Sequence, residues 1–253
     1  MISGIDHLVI AVRDVAAAEA ELAAVVGIAC TGGGRHEAMG TFNRLAFLGD
    51  TYLELIGVFS RELVVSSTTF AVGNAALAHL ESGREGLATY ALATDDVRGD
   101  AARLRAAGSL IDEPVDGARR RPDGETVRWT TAFPPLGPDR PPFLIEHEMA
   151  GAEWGDAARA ARAAFRHPAG GAVRLEALEL PVADATAAAR EYGTTLGIAF
   201  SEGWRTSLGA AALVLRRVAM TPAPVIRLKA EPGTPPLDVL LFGIRWVRAA
   251  TTG

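Results

Sequence analysis

The sequence has little cysteine, no long apolar run and no excess of positive charge. Its single cysteine, Cys30, excludes an internal disulfide and any cluster of thiolate metal ligands. No run approaches the roughly 20 uninterrupted apolar residues that span a bilayer, so no membrane partner is expected. A net charge of −5 argues against nucleic acid. The local run of three arginines at 119–121 is interpreted as a solvated hairpin tip.

The first residues also lack a targeting pattern. Residues 1–7 contain no basic segment followed by an apolar stretch, which would indicate secretion. We therefore expect a cytoplasmic protein. With 253 residues the chain can bury a substantial core, and its length allows one large domain or two smaller ones.

One pattern occurs three times: an apolar strand, an aspartate and an alanine-rich helix. The copies begin at residues 7–15, 89–97 and 177–185. Asp14, Asp96 and Asp184 hold equivalent places, where a carboxylate can accept hydrogen bonds from the free amides of a helix start. The pattern predicts three units, each with a strand followed by an amphipathic helix.

Strand-like sequence follows each predicted helix. The first copy has residues 40–48 and 51–58, the second 125–133 and 143–148, and the third 203–207, 210–217, 225–230 and 237–247. We therefore predict paired modules over residues 1–150, with the first at about 1–58, an insertion at 59–85 and the second at 86–150. Residues 151–171 are predicted to be a helical connector, and 172–253 a third, degenerate module.

Two polar residues interrupt apolar strands in the first copy. His7 lies on the opening strand and Glu54 on the last one, where strand alternation puts Tyr52 and Glu54 on one face. A buried carboxylate costs several kcal/mol unless it is paired, hydrogen-bonded or bound to a metal. The pair therefore indicates a functional site.

Several segments resemble the glyoxalase-like branch of the vicinal-oxygen-chelate superfamily. They are GIDHLVIAV at 4–12, GTFNR at 40–44, YLELI at 52–56, and His167-Pro168 with Gly170-Gly171. The resemblance implies an α+β fold in which repeated βαβββ modules form a cupped, curved mixed sheet with helices on its outer face. It also implies a metal-assisted lyase, isomerase or dioxygenase acting on a small molecule with vicinal oxygens. The alternative is a metal-free protein of the bleomycin-resistance type that binds or sequesters a small molecule.

The resemblance places metal ligands on the first and last strands of both modules. His7 and Glu54 match two of these positions, and their chemistry suits zinc, nickel, manganese or iron(II). The second module departs from the pattern, because Thr89 stands at the counterpart of His7. The last ligand would come from residues 145–148, where alternation puts Glu146 and Glu148 on one side and His147 on the other.

Two interpretations of these residues stay open. In one, His7, Glu54 and Glu146 hold a divalent metal, and Glu148 or Glu54 moves a proton. In the other, no metal binds, Glu54 is a base or a hydrogen-bond acceptor, and His7 is a hydrogen-bonded histidine at a strand start.

Further residues are candidates for substrate binding. The resemblance favours Asn43 in the pocket, and alternation adds Tyr52 on the face of Glu54. Trp129 and Phe143 are candidates for the pocket wall, with core packing as the alternative. His36 is a candidate for orienting the substrate and Arg140 for clamping an anion, with a place on a surface loop as the alternative for both. The third copy has Ala177 at the place of His7 and shows no metal chemistry. It would cap the first two modules or pair across a homodimer.

Overall fold

The computed structural model describes residues 1–67, 71–121, 123–135, 142–218 and 223–250. Arg140 lies outside these ranges. Within them, no helix is long and apolar enough to cross a membrane.

The first module has one strand, then a helix, then three more strands. Its elements are β1 (Ile2–Ala11), α1 (Val15–Glu21), a π-helical turn (Leu22–Val26), β2 (Gly32–His36), a 3-10 helix (Glu37–Met39), β3 (Thr41–Leu48) and β4 (Thr51–Val58). The predicted cap is confirmed, because the Asp14 carboxylate accepts hydrogen bonds from the amides of Ala16 and Ala17, both at 3.0 Å.

The second module repeats this order after a helical insertion. The insertion holds α2 (Arg61–Ser66) and α3 (Ala71–Glu81), and the module holds β5 (Gly86–Thr94), α4 (Val97–Ala106), β6 (Val115–Arg120), β7 (Thr126–Ala132) and β8 (Phe143–His147). Asp96 caps α4 by accepting a hydrogen bond from the amide of Gly99 at 2.8 Å.

The two modules together form a closed barrel in the order β1-β4-β3-β2-β6-β7-β8-β5. On one side β1 pairs antiparallel with β5, and His7 lies opposite Ala91. On the other side a single pair, Arg35 with Arg120, joins β2 to β6. The predicted α+β fold with a curved mixed sheet is confirmed, and the expected cup closes into a barrel.

Helices plug both ends of the barrel interior. At the carboxyl ends of β1 and β4, Val72 and Ala76 of α3 pack on Val9 and Ile56. At the opposite end lies the connector, with α5 (Gly151–Trp154) and α6 (Asp156–Ala164). Trp154 of α5 packs there among aromatic and aliphatic side chains of β3, β4 and β7. The interior is therefore a chamber and not an open cup.

The C-terminal residues form a separate six-stranded sheet. Its elements are β9 (Val173–Val182), α7 (Ala185–Leu196), β10 (Arg205–Leu208), β11 (Ala211–Arg217), β12 (Val225–Ala230), β13 (Leu237–Leu241) and β14 (Ile244–Arg248). The strand order β10-β11-β9-β12-β14-β13 matches β3-β4-β1-β5-β8-β7 of the barrel. This region thus holds two shortened units where one degenerate module was expected. The second unit has no helix, since only residues 231–236 separate β12 from β13.

The C-terminal sheet covers the outer wall of the barrel. Leu8 and Ile10 of β1 share one core with Leu178 of β9, Ile226 of β12 and Trp246 of β14. Helices α1, α4 and α7 contribute to the same core. Alternation along β1 then turns His7 and Val9 toward the barrel interior.

Candidate functional site

A cavity lies inside the barrel between α3 and α5. Its water-accessible volume is about 40 Å³, enough for about three water molecules. Eight polar side chains line it: His7, His36, Asn43, Glu54, Arg119, Thr131, His147 and Glu153. So many polar groups in one barrel interior indicate a functional chamber, because an interior that served only for packing would be apolar.

A β-bulge places two consecutive residues of β1 near this chamber. The pairing of β1 with β5 passes from Ile5 opposite Leu92 to His7 opposite Ala91, so Asp6 is the extra residue. A bulge interrupts strand alternation and can redirect a side chain. Ile5 belongs to the outer core, while the buried Asp6 contacts His7 and a histidine of β8.

Asp6, His7 and Glu54 form a chain. The Asp6 carboxylate lies 2.6 Å from Nδ1 of His7, and Nε2 of His7 lies 3.5 Å from Oε2 of Glu54. Burial by itself would raise the pKa of Asp6, but the charge of His147 and the hydrogen bonds from both histidines hold that pKa well below its ordinary value. Asp6 is thus a carboxylate that accepts a hydrogen bond from His7 Nδ1, which leaves Nε2 facing Glu54.

The second carboxylate oxygen of Glu54, Oε1, accepts a hydrogen bond from Asn43. Asn43 Nδ2 donates to Glu54 Oε1 at 2.5 Å, and Asn43 Oδ1 accepts from the amide of Gly34 at 2.9 Å. The close approach of β2 and β3 explains the glycine at 33, because a Cβ there would lie 2.3 Å from the carbonyl oxygen of Asn43. Gly33 also has a φ of +134°, which side chains disfavour.

The spacing of His7 and Glu54 fits two ligands of one metal ion. Ligand atoms about 2.1 Å from a tetrahedral ion lie about 3.4 Å from each other, close to the 3.5 Å between His7 Nε2 and Glu54 Oε2. Asp6, His7 and His147 also form a group with ligand atoms close together. However, 2.6 Å between Asp6 and His7 Nδ1 is a hydrogen-bond distance. Asp6 therefore fits the role of an outer partner that orients a ligating imidazole.

The second module presents no imidazole or carboxylate at the equivalent positions. In the antiparallel pair of β1 with β5, His7 lies opposite Ala91 and Val9 lies opposite Thr89. The two-fold relation of the modules exchanges these two pairs, so Thr89 is the counterpart of His7. Val9 pairs with Glu54 and Ala91 pairs with Phe143, so Phe143 is the counterpart of Glu54. A phenyl ring cannot bind a metal, and a neutral threonine hydroxyl is a poor ligand.

The predicted choice of Glu146 and Glu148 is corrected by the structure. Oε2 of Glu146 accepts a hydrogen bond from the amide of Val97 at 3.0 Å, at the start of α4 outside the barrel. Glu148 is half-exposed beside Arg128. Alternation along β8 separates the glutamates from His147 as predicted, but the chamber lies on the side of His147.

His147 is the residue of β8 that faces the chamber. Its Nε2 lies 3.1 Å from Asp6 Oδ1, and its ring stacks on Trp154 with centroids 4.1 Å apart. Nδ1 is buried and has no hydrogen-bond partner within the described ranges. If Nε2 carries the proton shared with Asp6, Nδ1 has an available lone pair. His147 can thus act as a base, whereas among the described residues Glu54, His7 and His147 do not form a group with ligand atoms within 4.8 Å of one another.

The predicted aromatic residues surround these polar groups. Tyr52 stacks on His7 with centroids 4.5 Å apart, and Phe143 meets the same ring edge-on at 5.5 Å. Trp129 meets His36 edge-on at 5.9 Å. The indole ring of Trp129 lies over β6 at Gly117, where there is no side chain. A Cβ at that position would lie 2.3 Å from the Trp129 Nε1 atom.

His36 is buried in the chamber wall and not on a surface loop. Its Nδ1 lies 2.8 Å from the hydroxyl of Thr41. Burial lowers the pKa of His36 to about 4. The imidazole is therefore neutral at pH 7 and can both donate and accept hydrogen bonds.

Arg119 and Glu153 reach the same chamber and were not among the predicted site residues. Arg119 had been interpreted as part of a solvated tip, but both side chains are buried and paired. Alternation along β6 turns Arg119 inward and leaves Arg120 exposed. The sequence signal was weak, because nothing in an arginine run identifies the one residue that meets a carboxylate 34 positions away.

A barrel of paired βαβββ units with a histidine and a glutamate on adjacent inner strands defines a glyoxalase-like fold of the vicinal-oxygen-chelate superfamily. The model of the glyoxalase-like domain family matches residues 5–196, and the chain belongs to that family. No curated protein sequence matches the chain.

One of the solved structures that match the chain has the same fold over its whole length. A hypothetical protein from Staphylococcus aureus has a TM-score of 0.78 at 15% identity, with 98% of this chain and 99% of that chain covered. It therefore shares the arrangement of barrel and C-terminal sheet. Methylmalonyl-CoA epimerases match part of the chain. The enzyme from Streptomyces coelicolor has a TM-score of 0.40 at 27% identity over 53% of this chain and 89% of its own. The enzyme from Mycobacterium tuberculosis has a TM-score of 0.43 at 19% identity over 59% and 90%.

Proposed function

We propose that the chain is a metal-assisted enzyme of the lyase, isomerase or dioxygenase type that acts on a small molecule with vicinal oxygens inside the barrel. The observation that supports this proposal is the series of contacts from Asp6 to His7 and from His7 to Glu54. An oriented imidazole nitrogen and a carboxylate oxygen face each other at 3.5 Å without a hydrogen bond. That spacing suits a shared divalent ion.

His7 Nε2 and Glu54 would hold the ion and leave its other positions open for water or substrate oxygens. This donor set suits zinc, nickel, manganese or iron(II). When bound, such an ion polarises a substrate oxygen and stabilises negative charge that develops on it.

The protein's own residues would position the substrate and move the proton. Asn43 keeps one oxygen of Glu54 engaged and so limits its rotation. The unpaired Nδ1 of His147 would take over the role of base first assigned to Glu148. His36, neutral at pH 7, offers a hydrogen bond to a polar substrate group. Tyr52, Trp129 and Phe143 form the wall that excludes water.

A second candidate function is metal-free binding of a small molecule. The observation that favours it is that Thr89 and Phe143 stand where the second module would supply ligands, and neither offers an imidazole or a carboxylate. In that case Glu54 and His7 would bind a polar ligand directly. The protein would then bind its ligand without turnover.

Elemental analysis separates these functions. The protein is purified without a chelator or a histidine tag, incubated with zinc, nickel, manganese and iron(II) in turn, and compared with Glu54→Gln and Glu146→Gln. We expect nearly one ion per chain in the wild type and in Glu146→Gln, and loss of the ion in Glu54→Gln. Glu146→Gln is the matched control, because it removes a carboxylate outside the barrel. If neither the wild type nor Glu146→Gln retains any of the ions, the metal-free function replaces the metal-assisted one.

A further inference from the structure

Arg119 is a buried cation in the wall of the chamber. Its side chain is only 4% exposed. Nη2 donates to both carboxylate oxygens of Glu153, at 2.5 and 2.6 Å, and Nη1 donates to the carbonyl of Gly33 at 3.2 Å. A buried guanidinium is costly without an anionic partner. Its planar fork is suited to a carboxylate.

The anion that meets Arg119 belongs to the connector between the barrel and the C-terminal sheet. Glu153 lies on the four-residue helix α5. The next helix, α6, has no buried residue. Beyond α5, Arg162 places its guanidinium over the rings of Phe47 and Trp154. Displacement of α5 must also break the stacking of Trp154 on His147 and the hydrogen bond from the amide of Ala152 to Glu125, whereas α6 adds little resistance.

The charges around Glu153 leave room for a second anion. Arg121 also donates to Glu153, at 2.8 Å, so two guanidinium groups share one carboxylate. Displacement of Glu153 would leave Arg119 exposed to the chamber without a counter-charge. A substrate carboxylate could replace it there and restore the buried ion pair, and Glu153 could keep its contact with Arg121.

The chamber must widen to admit a substrate. Its water-accessible volume of about 40 Å³ is small, and among the described residues α3 and α5 cover its two ends. Movement of one of these helices would widen the way to His7 and Glu54. The connector is the candidate for this movement. Its buried ion pair between Glu153 and Arg119 can be replaced by an equivalent ion pair between a substrate carboxylate and Arg119.

We propose that Arg119 is the binding site for a carboxylate group of the substrate, and that Glu153 is an internal carboxylate that occupies this site while the connector is closed. The substrate class is therefore a small carboxylic acid whose other oxygens point toward His7 and Glu54. This inference deepens the proposed function and rests on it in one respect, namely that the substrate binds in this chamber.

The test uses malonate as the probe and calorimetric titration of the full chain in EDTA, so that no metal contributes. Glu153→Gln should bind malonate at least about tenfold more tightly than the wild type, because a competing internal carboxylate lowers the fraction of protein ready to bind. The double variant Arg119→Gln/Glu153→Gln, which keeps a neutral pair of similar shape, should not bind malonate. Asp156→Asn is the matched control, since it removes an exposed carboxylate from the same connector and should bind like the wild type. The neutral diamide malonamide should bind to none of them.

A second measurement protects the test against a variant that fails to fold. Hydrogen exchange of residues 150–166 in the wild type should become faster as malonate is added, because Glu153 is displaced. A purely structural ion pair would leave that exchange unchanged, and this result would overturn the proposal. Equal malonate affinity of Glu153→Gln and the wild type would overturn it as well, as would malonate binding by the double variant.

The two proposals fail separately. If no divalent ion binds but Glu153→Gln gains affinity for malonate, the carboxylate site stands and the metal-assisted function falls. If the metal binds through His7 and Glu54 but replacing Glu153 and Arg119 leaves the malonate affinity unchanged, only the carboxylate site is overturned.

Discussion

Replacing Asp6 with asparagine tests the role of the bulge in β1. Asp6 accepts from His7 Nδ1 at 2.6 Å and from His147 Nε2 at 3.1 Å. Both contacts are to Oδ1, so an asparagine of nearly the same shape could keep them, but without the negative charge they would be weaker. The Nε2 atom of His7 would then be a weaker and less oriented ligand for an ion shared with Glu54.

The expected size of the effect follows from the type of contact. Loss of an outer partner of a metal-binding histidine typically lowers metal affinity by about 10- to 100-fold, or about 1.4–2.8 kcal/mol. We expect the upper part of this range, because Asp6 is buried and contacts two imidazoles at once. Its hydrogen bonds are charge-assisted, and such bonds are stronger than neutral ones.

The assay is a competition titration of Zn²⁺ between the protein and a chromophoric chelator. Asp6→Asn is compared with the wild type and with Asp95→Asn, a control in which the replaced carboxylate is 87% exposed. Asp95→Asn should keep the wild-type dissociation constant. An Asp6→Asn protein that folds and binds Zn²⁺ as tightly as the wild type would refute the assignment of Asp6 as the residue that orients His7.

Three further predictions concern stability, each measured by urea unfolding. Because the pKa of His36 falls to about 4 on folding from a usual 6.5, stability is full above pH 6.5 and falls as the pH drops toward 4, by about 3 kcal/mol; His36→Asn should lose this part of the pH dependence. Gly33→Ala should cost at least about 2 kcal/mol, since its Cβ would clash with the Asn43 carbonyl, and a cost near zero would contradict this close approach. Tyr192→Phe should cost about 1–3 kcal/mol, because the buried hydroxyl of Tyr90 loses its partner at 2.5 Å; Tyr90→Phe/Tyr192→Phe should recover part of that loss, and no recovery would speak against the pairing.

Much of the fold could be predicted from the sequence because its signals are local. The repeat of strand, aspartate and helix predicted α1, α4 and α7, and Asp14, Asp96 and Asp184 cap these helices as expected. Each cap needs only the aspartate and the following amides of the same segment. The paired modules, and the proximity of His7 and Glu54 on adjacent strands, also agree with the pattern.

The candidate site depended on information that no local pattern contains. Alternation divides β8 into two faces but does not say which face is inside, so the choice between Glu146 and His147 needed the closed barrel. The bulge at Asp6 exists only in the pairing of β1 with β5. The contact of Arg119 with Glu153 joins residues that are distant along the chain.

The sequence by itself therefore determined the family, the repeated units and the helix starts, because neighbouring residues encode these features. Only the tertiary structure decided that the cup closes, that the C-terminal region is two shortened units, and which side chains face the chamber. These features arise when strands far apart in sequence pair, since pairing sets the register, the bulges and the inner face of each strand.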